Sequence, residues 1–593
     1  YRGSGCFVVA TQKGEATSSQ SERSSIWFLP ARAGRAAREH IQRSFPADAA
    51  PFAKALLLGD TSELSYTVDT SLKVSGIRHI VAVSGLHVSA LFGAIYFLLR
   101  RRRVLSVLVC VPVLLFFAAV TGFSPSVVRA SLMAGLMALG SAINEEYDGL
   151  TSLSFASLVM LFANPFVISS VSFQLSVASV AGILLLAAPI SARIVGLFPK
   201  VKAKSAGGRA IRWVAGAVSV CVSATLFSTP LSAYYFGAVS LIGVLANLLI
   251  IWMIPPLFCG IAVVGAFGGV VPQLCGPLAW LLSWVIRLIL WMARLMSRIP
   301  FAAVYTQSGF VIAWLIFAYC LAALFLCRRR HFLRFFLVGI IGLTAAIAAS
   351  VVVPRVDALR LTALDVGEGQ AILLQSSGKN YLIDCGGDSE TRAADEIAQT
   401  LLSQGLFRLD GLVLTHYDQD HVNAVENLLT RIKIDRFYLP ESGQAELAQR
   451  LGAEYPEDIQ WIESDSQIAL PSGTINLLAP NSTETANENC MCVLFDSKEC
   501  VILITGDRGR AGERELLQNY TLPDVDVLIA GHHGSKNSTT EELLHAVRPE
   551  VVIISAGENN RYGHPARALL ERLTAFGCTV YRTDLQGSVL IRR

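Results

Sequence analysis

Between about Gly76 and Val353 apolar residues run in long stretches, whereas on either side polar and apolar positions alternate over short distances. A helix needs about 20 residues to cross a hydrocarbon core of about 30 Å. Stretches of that order run from His79 to Leu99, Leu105 to Val120, Ser126 to Ala142, Ser152 to Ser170, Val171 to Leu186 and Val214 to Ala233. Several more fall between Val239 and Leu326, and a last one runs from Phe335 to Val353. The pattern predicts a multi-span helical membrane protein of about ten spans. The paired prolines of "MIPPLFCG" predict a helix broken into a re-entrant pair.

The flanks read differently. "GCFVVATQKG" and "SSIWFLPARAG" have the look of short strands, and "RAAREHIQRSF" has amphipathic helical spacing, so the chain opens on the end of a soluble domain. From Leu359 short strand-like runs recur: "LRLTALDV", "AILLQ", "NYLIDCG", "GLVLTH", "RFYLP", "INLLAP", "CVLFD", "CVILITGD", "VDVLIAGHH", "VVIISAG" and "VYRTDLQGSVLI". Helical segments such as "ADEIAQTLLSQG" and "ARALLERLTAFG" lie between them. Many strands interspersed with helices predict an αββα sandwich.

Composition agrees with a membrane body joined to a soluble domain. Hydrophobic residues make up 53% of the 593 and charged ones only 16%, with charge sparse from about Ile77 to Val353 and ordinary from Arg355 onward. A net charge of +4 gives no argument for nucleic acid by itself, so only local clusters can. The clusters are "RRRR" at 100–103, "KVKAK" with Arg209 and Arg212, and "RRRH" at 328–331. Loops rich in Lys and Arg stay in the cytoplasm. Four predicted spans separate the first cluster from the second. An even number before the third would leave all three inside and put everything after Pro354 outside the cytoplasm. The 12 cysteines form no CxxC and six of them, Cys110, Cys221, Cys259, Cys275, Cys320 and Cys327, lie in or beside apolar segments, which predicts buried thiols rather than a disulfide framework, with pairing or metal ligation the alternative for the neighbouring Cys490, Cys492 and Cys500.

Chemistry gathers where the apolar strands of the last domain stop: Asp384 of "LIDCGG", the "THYDQDH" cluster, Asp507 of "LITGD", His532 and His533 of "AGHHGS", and His564 of "RYGHP". Strand ends converging on one edge make a natural metal site. The order resembles the metallo-β-lactamase superfamily, whose leading signature is His-x-His-x-Asp-His. His416, Asp420 and His421 match it, with Asp418 at the second histidine position. By that resemblance Asp507 would bridge two metals, and His532, His533 and His564 compete for the late histidine position. No histidine lies between His421 and His532, so the middle histidine is absent and Asn487 or Asn489 is the nearest polar substitute. Carboxylate and amide oxygens in place of imidazole favour Mn²⁺ or Mg²⁺ over Zn²⁺. Such cations suit phosphodiester cleavage.

"LDVGEGQAILLQSSGKNYLIDCGG" resembles the start of the extracytoplasmic domain of the ComEC family, the membrane channel for DNA uptake in bacterial competence. "ALLLGDTSEL", "SGIRHIVAVSGLHVSAL", "TGFSPSVVRASLMAG" and "SSVSFQLSVASVAGI" are similar to that family's membrane motifs, and one departure is "DHVNAV", where Val422, Asn423 and Ala424 replace a commoner hydrophobic-Gly-Gly. The resemblance implies three parts: residues 1–50 as the tail of an OB-like external domain, 51–353 as the membrane channel and 354–593 as a metallo-β-lactamase-like nuclease. It implies a bacterial cytoplasmic-membrane protein that passes one DNA strand and degrades the other outside. Its partners would be DNA, an external DNA receptor, a separate ATP-driven motor and a second copy in a homo-oligomer. No Walker sequence is present to supply the motor within this chain. His416, Asp418, Asp420, His421 and Asp507 would hold metal, with His532, His533 and His564 completing the site or contacting phosphate. Asp420, His416 and Asp507 would carry the catalysis, with Asp420 as base.

Ionisable groups within spans usually face a cavity or a partner, so His87, Arg78 and Arg129 are channel or DNA-binding candidates, as are Arg287 and Arg294 on one helical face. Two rivals stand beside this reading: a channel whose soluble domain only binds DNA, and a membrane-tethered metallohydrolase of envelope substrates.

Overall fold

The computed structural model describes residues 25–100, 102–199, 205–328, 332–441, 451, 458–479, 489–558 and 560–593. The chain divides into two units, one ending at Val304 and the other beginning at Tyr305.

Seven helices among the described residues are long and apolar enough to cross a membrane: Arg103–Val120, Pro125–Ile143, Val171–Gly196, Ala206–Phe236, Gly243–Phe267, Pro272–Ser297 and Leu337–Val356. Three shorter apolar helices, Gly85–Leu98, Gly149–Ala163 and Gly309–Leu324, stand beside them. The first unit packs Leu56, Leu72, Leu114, Phe258 and Ile286 into one buried cluster. Trp280, Trp284 and Trp291 of Pro272–Ser297 are exposed, as suits a helix whose outer face meets lipid.

Three sequence expectations shift. The first span starts at Gly85 rather than His79, because Gly76 turns the chain with φ 75° and Arg78–Ile80 forms a 3₁₀ turn. The break near "MIPPLFCG" falls at Ile251–Met253 instead of at the prolines. Pro255 and Pro256 open the next helix, Ile254–Phe267, where a missing N–H costs no hydrogen bond. "SSIWFLPARAG" is a 3₁₀ turn, Ile26–Phe28, leading into the helix Leu29–Ser44, and not a strand. "GCFVVATQKG" and residues 1–24 of the expected OB-like remnant lie outside the described residues.

The second unit contains two seven-stranded sheets. Its strands in chain order are β1 (Leu359–Ala363), β2 (Ile372–Ser376), β3 (Lys379–Ile383), β4 (Gly411–Val413), β5 (Phe437–Pro440), β6 (Ile459–Ile462) and β7 (Ser466–Leu470). There follow β8 (Gly473–Leu478), β9 (Cys492–Ser497), β10 (Val501–Ile504), β11 (Val527–Ile529), β12 (Val551–Ile554), β13 (Thr579–Arg582) and β14 (Val589–Arg592). One sheet has the order β6-β5-β4-β3-β2-β1-β14 and the other β7-β8-β9-β10-β11-β12-β13. "VYRTDLQGSVLI" is two strands, β13 and β14, in different sheets, split by the turn Thr583–Gln586.

The sheets meet through Leu374, Ile383 and Val413 of the first and Ile475, Val493, Ile504 and Ile529 of the second, all buried. Full burial of each such side chain contributes about 1.5–3 kcal/mol. On the far side of the second sheet lie Leu516, Leu543, Leu544, Leu569 and Leu573 from three helices. The helix Glu390–Ser403 buries Ala394, Ile397, Ala398 and Leu401. This is the expected αββα layering. Strands β3, β4 and β5 are mutually parallel, as are β10 to β13. Parallel strands send their C-terminal ends to one edge, so whatever follows them is collected there.

Candidate metal centre

Asp384 follows β3, His416 follows β4, Asp507 follows β10, His532 and His533 follow β11, and His564 follows β12. The loops that carry them are tightly drawn. A Cβ on Gly369 would lie 2.5 Å from the Asp420 carbonyl oxygen, and one on Gly386 would lie 2.4 Å from it, so only glycine fits at either. The Asn423 side chain bonds both the N–H (3.1 Å) and the carbonyl (2.6 Å) of Gly387, which is how "DHVNAV" pins the neighbouring loop.

Asp384 is fully buried and accepts four hydrogen bonds: Thr415 N–H (2.7 Å), Thr415 Oγ1 (2.9 Å), Gln370 Nε2 (2.8 Å) and His421 Nδ1 (2.8 Å). A carboxylate cannot donate, so His421 carries its proton on Nδ1. Thr415 gives its one hydroxyl proton to Asp384 and therefore accepts from His416 Nδ1, 3.0 Å away. His533 Nδ1 donates to the Ser555 carbonyl at 3.1 Å. All three imidazoles are thus fixed in one tautomer, and each turns a bare Nε2 inward.

Those nitrogens meet only other acceptors. His421 Nε2 lies 3.2 Å from His533 Nε2 and 3.1 Å from Asp507 Oδ1. His533 Nε2 lies 3.2 Å from Asp420 Oδ2 and 3.8 Å from Asp507 Oδ1. The other carboxylate oxygen, Asp507 Oδ2, stands 3.8 Å from both His416 Nε2 and His532 Nε2. Asp507 therefore offers one oxygen to each of two clusters. His416 Nε2 and Asp507 Oδ1 are buried and make no hydrogen bond. Lone pairs packed this closely, out of water, are tolerable only with a proton or a cation among them. The ligand-type atoms of Asp420, His421, Asp507 and His533 all lie within 4.8 Å of one another, so the residues fit a metal ion.

The charges respond accordingly. Burial opposes ionisation of Asp507, but the His421 and His533 rings hold its carboxyl well below the usual range. Burial also opposes a charged His421, yet Asp507 and Asp384 raise it well above its ordinary value. His533 is raised by Asp507 and Asp420 against the same burial. A divalent cation would compete with protons for these same groups.

Asp418 caps the turn Gln419–Val422 and reaches within 3.7 Å of His416 Nε2 while half exposed. His532 sits at the rim, one-third exposed, and like His533 it has a positive φ (50° and 54°), strain of the kind that collects at functional sites. His564 stands apart from the four-residue group, with Nδ1 3.3 Å from Glu368 Oε1 and its ring edge-on to His532. Asn489 Oδ1 is another buried acceptor without a hydrogen bond. The residues after it are held in place, Met491 by its N–H to the Thr415 carbonyl at 2.9 Å and Cys490 by its carbonyl to Arg508 Nε at 2.8 Å. Asn487 lies outside the described residues. Thr415 and Ser555, which fix two of the tautomers, and Gln370, which holds Asp384, carry no spacing signal in sequence. Asp384 did, as a charged residue ending an apolar strand.

In the first unit, Arg78 pairs with Asp69 at 2.7 Å. The His87 ring accepts the Ser84 N–H at 3.0 Å and packs edge-on against Phe258. Arg129 is buried with Nε unpartnered. Arg287 pairs with Asp48 and lies over the Trp284 ring.

The Competence protein family matches residues 56–331, and the Metallo-beta-lactamase superfamily matches residues 364–558. ComE operon protein 3 of Bacillus subtilis is 28% identical over 589 residues, spanning 94% of this chain and 73% of that protein. Competence protein ComA of Neisseria gonorrhoeae is 28% identical over 561 residues, 90% of this chain and 73% of its own. Recombination protein 2 of Haemophilus influenzae is 26% identical over 578 residues, 91% and 71% respectively.

Proposed function

The chain belongs to the competence proteins that join a membrane region to a metallo-beta-lactamase superfamily domain, and on that premise we propose that it passes single-stranded DNA across the bacterial cytoplasmic membrane while its last domain degrades the other strand. The channel would occupy residues 51–353 and the nuclease 354–593. The observation that carries the nuclease half is the acceptor-only cluster: His416, His421 and His533 each present Nε2, with Asp420 and Asp507, and no donor among them. Such a set holds divalent cations. Asp418, Asp420, Asp507 and the Asn489 amide make it rich in oxygen, which favours Mn²⁺ or Mg²⁺ over Zn²⁺. When bound, the metal would neutralise charge building on phosphorus and acidify water.

The protein's own groups supply the rest. Asp420, one-third exposed, is the ligand-side carboxylate best placed to take a proton from water. His416 and Asp507, both buried, would hold the centre in place from its dry side. His532, one-third exposed, and His564, edge-on to it, would meet an entering phosphodiester. Burial keeps His532 below its ordinary value, so at neutral pH it would meet the strand as a neutral hydrogen-bonding group.

Orientation follows from the basic loops. Four helices, from Arg103–Val120 to Val171–Gly196, lie between the first and second cluster, and four more apolar segments, Ala206–Phe236, Gly243–Phe267 taken as one span, Pro272–Ser297 and Gly309–Leu324, lead to the third. With each crossing, all three clusters share the cytoplasmic side and Phe332–Val356 carries the nuclease outside. An external receptor would deliver duplex DNA and a separate motor would draw the strand in. Tethering then replaces high affinity with effective concentration. The test is cleavage of labelled duplex DNA by the purified chain across a series of divalent metals. A chelator should abolish it, and binding without cleavage under every metal would leave only a DNA-binding domain.

A further inference from the structure

We infer that the first unit contains a phosphate-binding site at the N-terminus of the helix Gly85–Leu98, completed by the Arg129 guanidinium, whose occupant is a backbone phosphodiester of the transported strand. The inference rests on the channel reading above and assigns one place in it.

Ser84 caps this helix, and its carbonyl takes the N–H groups of His87 (3.1 Å) and Val88 (3.3 Å). The N–H groups of Gly85 and Leu86 begin the helix with no residue of the same helix to receive them. A helix start of this kind favours an anion. The helix Pro125–Ile143 brings a full charge to the same point. Its Ser126 hydroxyl donates to the Val83 carbonyl at 2.7 Å, which fastens it beside the cap. One turn later Arg129 places Nη2 only 3.2 Å from where a Cβ on Gly85 would stand.

Arg129 is 4% exposed, its Nε has no hydrogen bond, and no carboxylate pairs with it among the described residues. Two other candidate arginines of this unit do have an acid: Arg78 has Asp69 and Arg287 has Asp48. A buried, unpaired cation within membrane-type helices is strongly unfavourable unless something supplies the counter-charge. Glycine as the first helical residue leaves space between the two sets of donors, while Gly85 and Ser84 remain partly exposed and give access. Arginine and helix N–H groups together match phosphate oxygens. His87 serves the cap through Nδ1 and is not counted among the donors.

The test uses cells whose only copy of the full chain is wild type, R129Q, R129K or G85A, scored for uptake of a fluorescent single strand and for membrane abundance. R129Q removes charge at similar size, and G85A fills the space with one methyl whose nearest neighbour is the far end of the Arg129 side chain. Both should lower uptake at least tenfold at unchanged abundance, with R129K within about threefold of wild type, because lysine keeps the point charge. Uptake by R129Q equal to wild type overturns the site. Should R129Q fail to accumulate, G85A decides alone, and normal uptake by it also overturns the site. No uptake by wild type overturns the channel reading instead. A lipid occupant would show as loss of thermal stability in R129Q confined to nanodiscs containing phosphatidylglycerol, with uptake intact, and that result too rejects a DNA phosphodiester.

Discussion

Asp384→Asn is the sharpest probe of the proposed centre, because it alters no ligand and almost no volume. The asparagine oxygen would stay on Thr415 N–H, a backbone donor that cannot turn away. The amide nitrogen would then face Gln370 Nε2, the Thr415 hydroxyl and His421 Nδ1. Gln370 can flip its amide and Thr415 can rotate its proton, but His421 has only one way to comply. It must accept at Nδ1 and carry its proton on Nε2, the atom 3.1 Å from Asp507 Oδ1. A protonated Nε2 cannot ligate. Loss of a partner that orients a ligand typically costs about 10–100-fold in metal affinity, or roughly 1.4–2.7 kcal/mol. Stability without metal should fall by about 1.5–3 kcal/mol, the worth of one hydrogen bond to a charged group. Calorimetric titration of the purified chain with Mn²⁺, beside thermal unfolding in chelator, separates the two effects. If Asp384→Asn binds Mn²⁺ within threefold of wild type, the tautomer argument is wrong.

Asp420→Asn should abolish metal-dependent cleavage of labelled DNA while leaving the melting temperature in chelator nearly unchanged, since the residue is one-third exposed; parental cleavage would remove Asp420 from the chemistry. A reporter active only in the cytoplasm, fused after Arg593, should stay silent, and activity there would reverse the orientation drawn from the basic loops. Glu513 is buried and receives the N–H groups of Thr539 and Thr540 and the Thr540 hydroxyl, while Thr539 Oγ1 receives Gly531 N–H beside the histidine pair. Burial raises it from 4.5 to about 7, so the folded state keeps a proton that the unfolded state has released. Its contribution should decline as pH rises through that window and stay flat above it, by up to about 3 kcal/mol; Glu513→Gln should lack the slope in unfolding measured across pH.

Periodicity carried most of the architecture, since "AILLQ" or "CVILITGD" can only be buried strands, and long apolar runs can only be helices in lipid or core. It failed where tertiary partners decide. β6 and β7 hold polar and apolar residues in no strict order, and their pairing with β5 and β8 makes them strands. "SSIWFLPARAG" looked extended, but a proline in the first turn of a helix reads the same as one in a strand flank. The candidate metal cluster was legible because its residues follow apolar strands, and parallel pairing brings the ends of those strands together. What spacing could not assign was role. Asp384 and His564 both lie in segments that follow parallel strands, yet one orients a histidine and the other faces Glu368.

The same division explains how such a centre can exist in a folded chain. Four acceptor atoms within hydrogen-bonding range of one another repel, and nothing in their own chemistry assembles them. What holds them is the backbone: strands β3, β4, β10 and β11 are buried between sheets and helices, so their ends cannot drift apart without opening the core. Left-handed conformations at Asp384, His532 and His533 store further strain on the same edge. A cation that relieves this repulsion binds the folded state and not the unfolded one. It therefore stabilises the domain by an amount that grows with its concentration, about 2.7 kcal/mol at one hundred times its dissociation constant. Folding free energy from the hydrophobic layers is in this way converted into metal affinity, and the tautomer locks decide which nitrogen receives it.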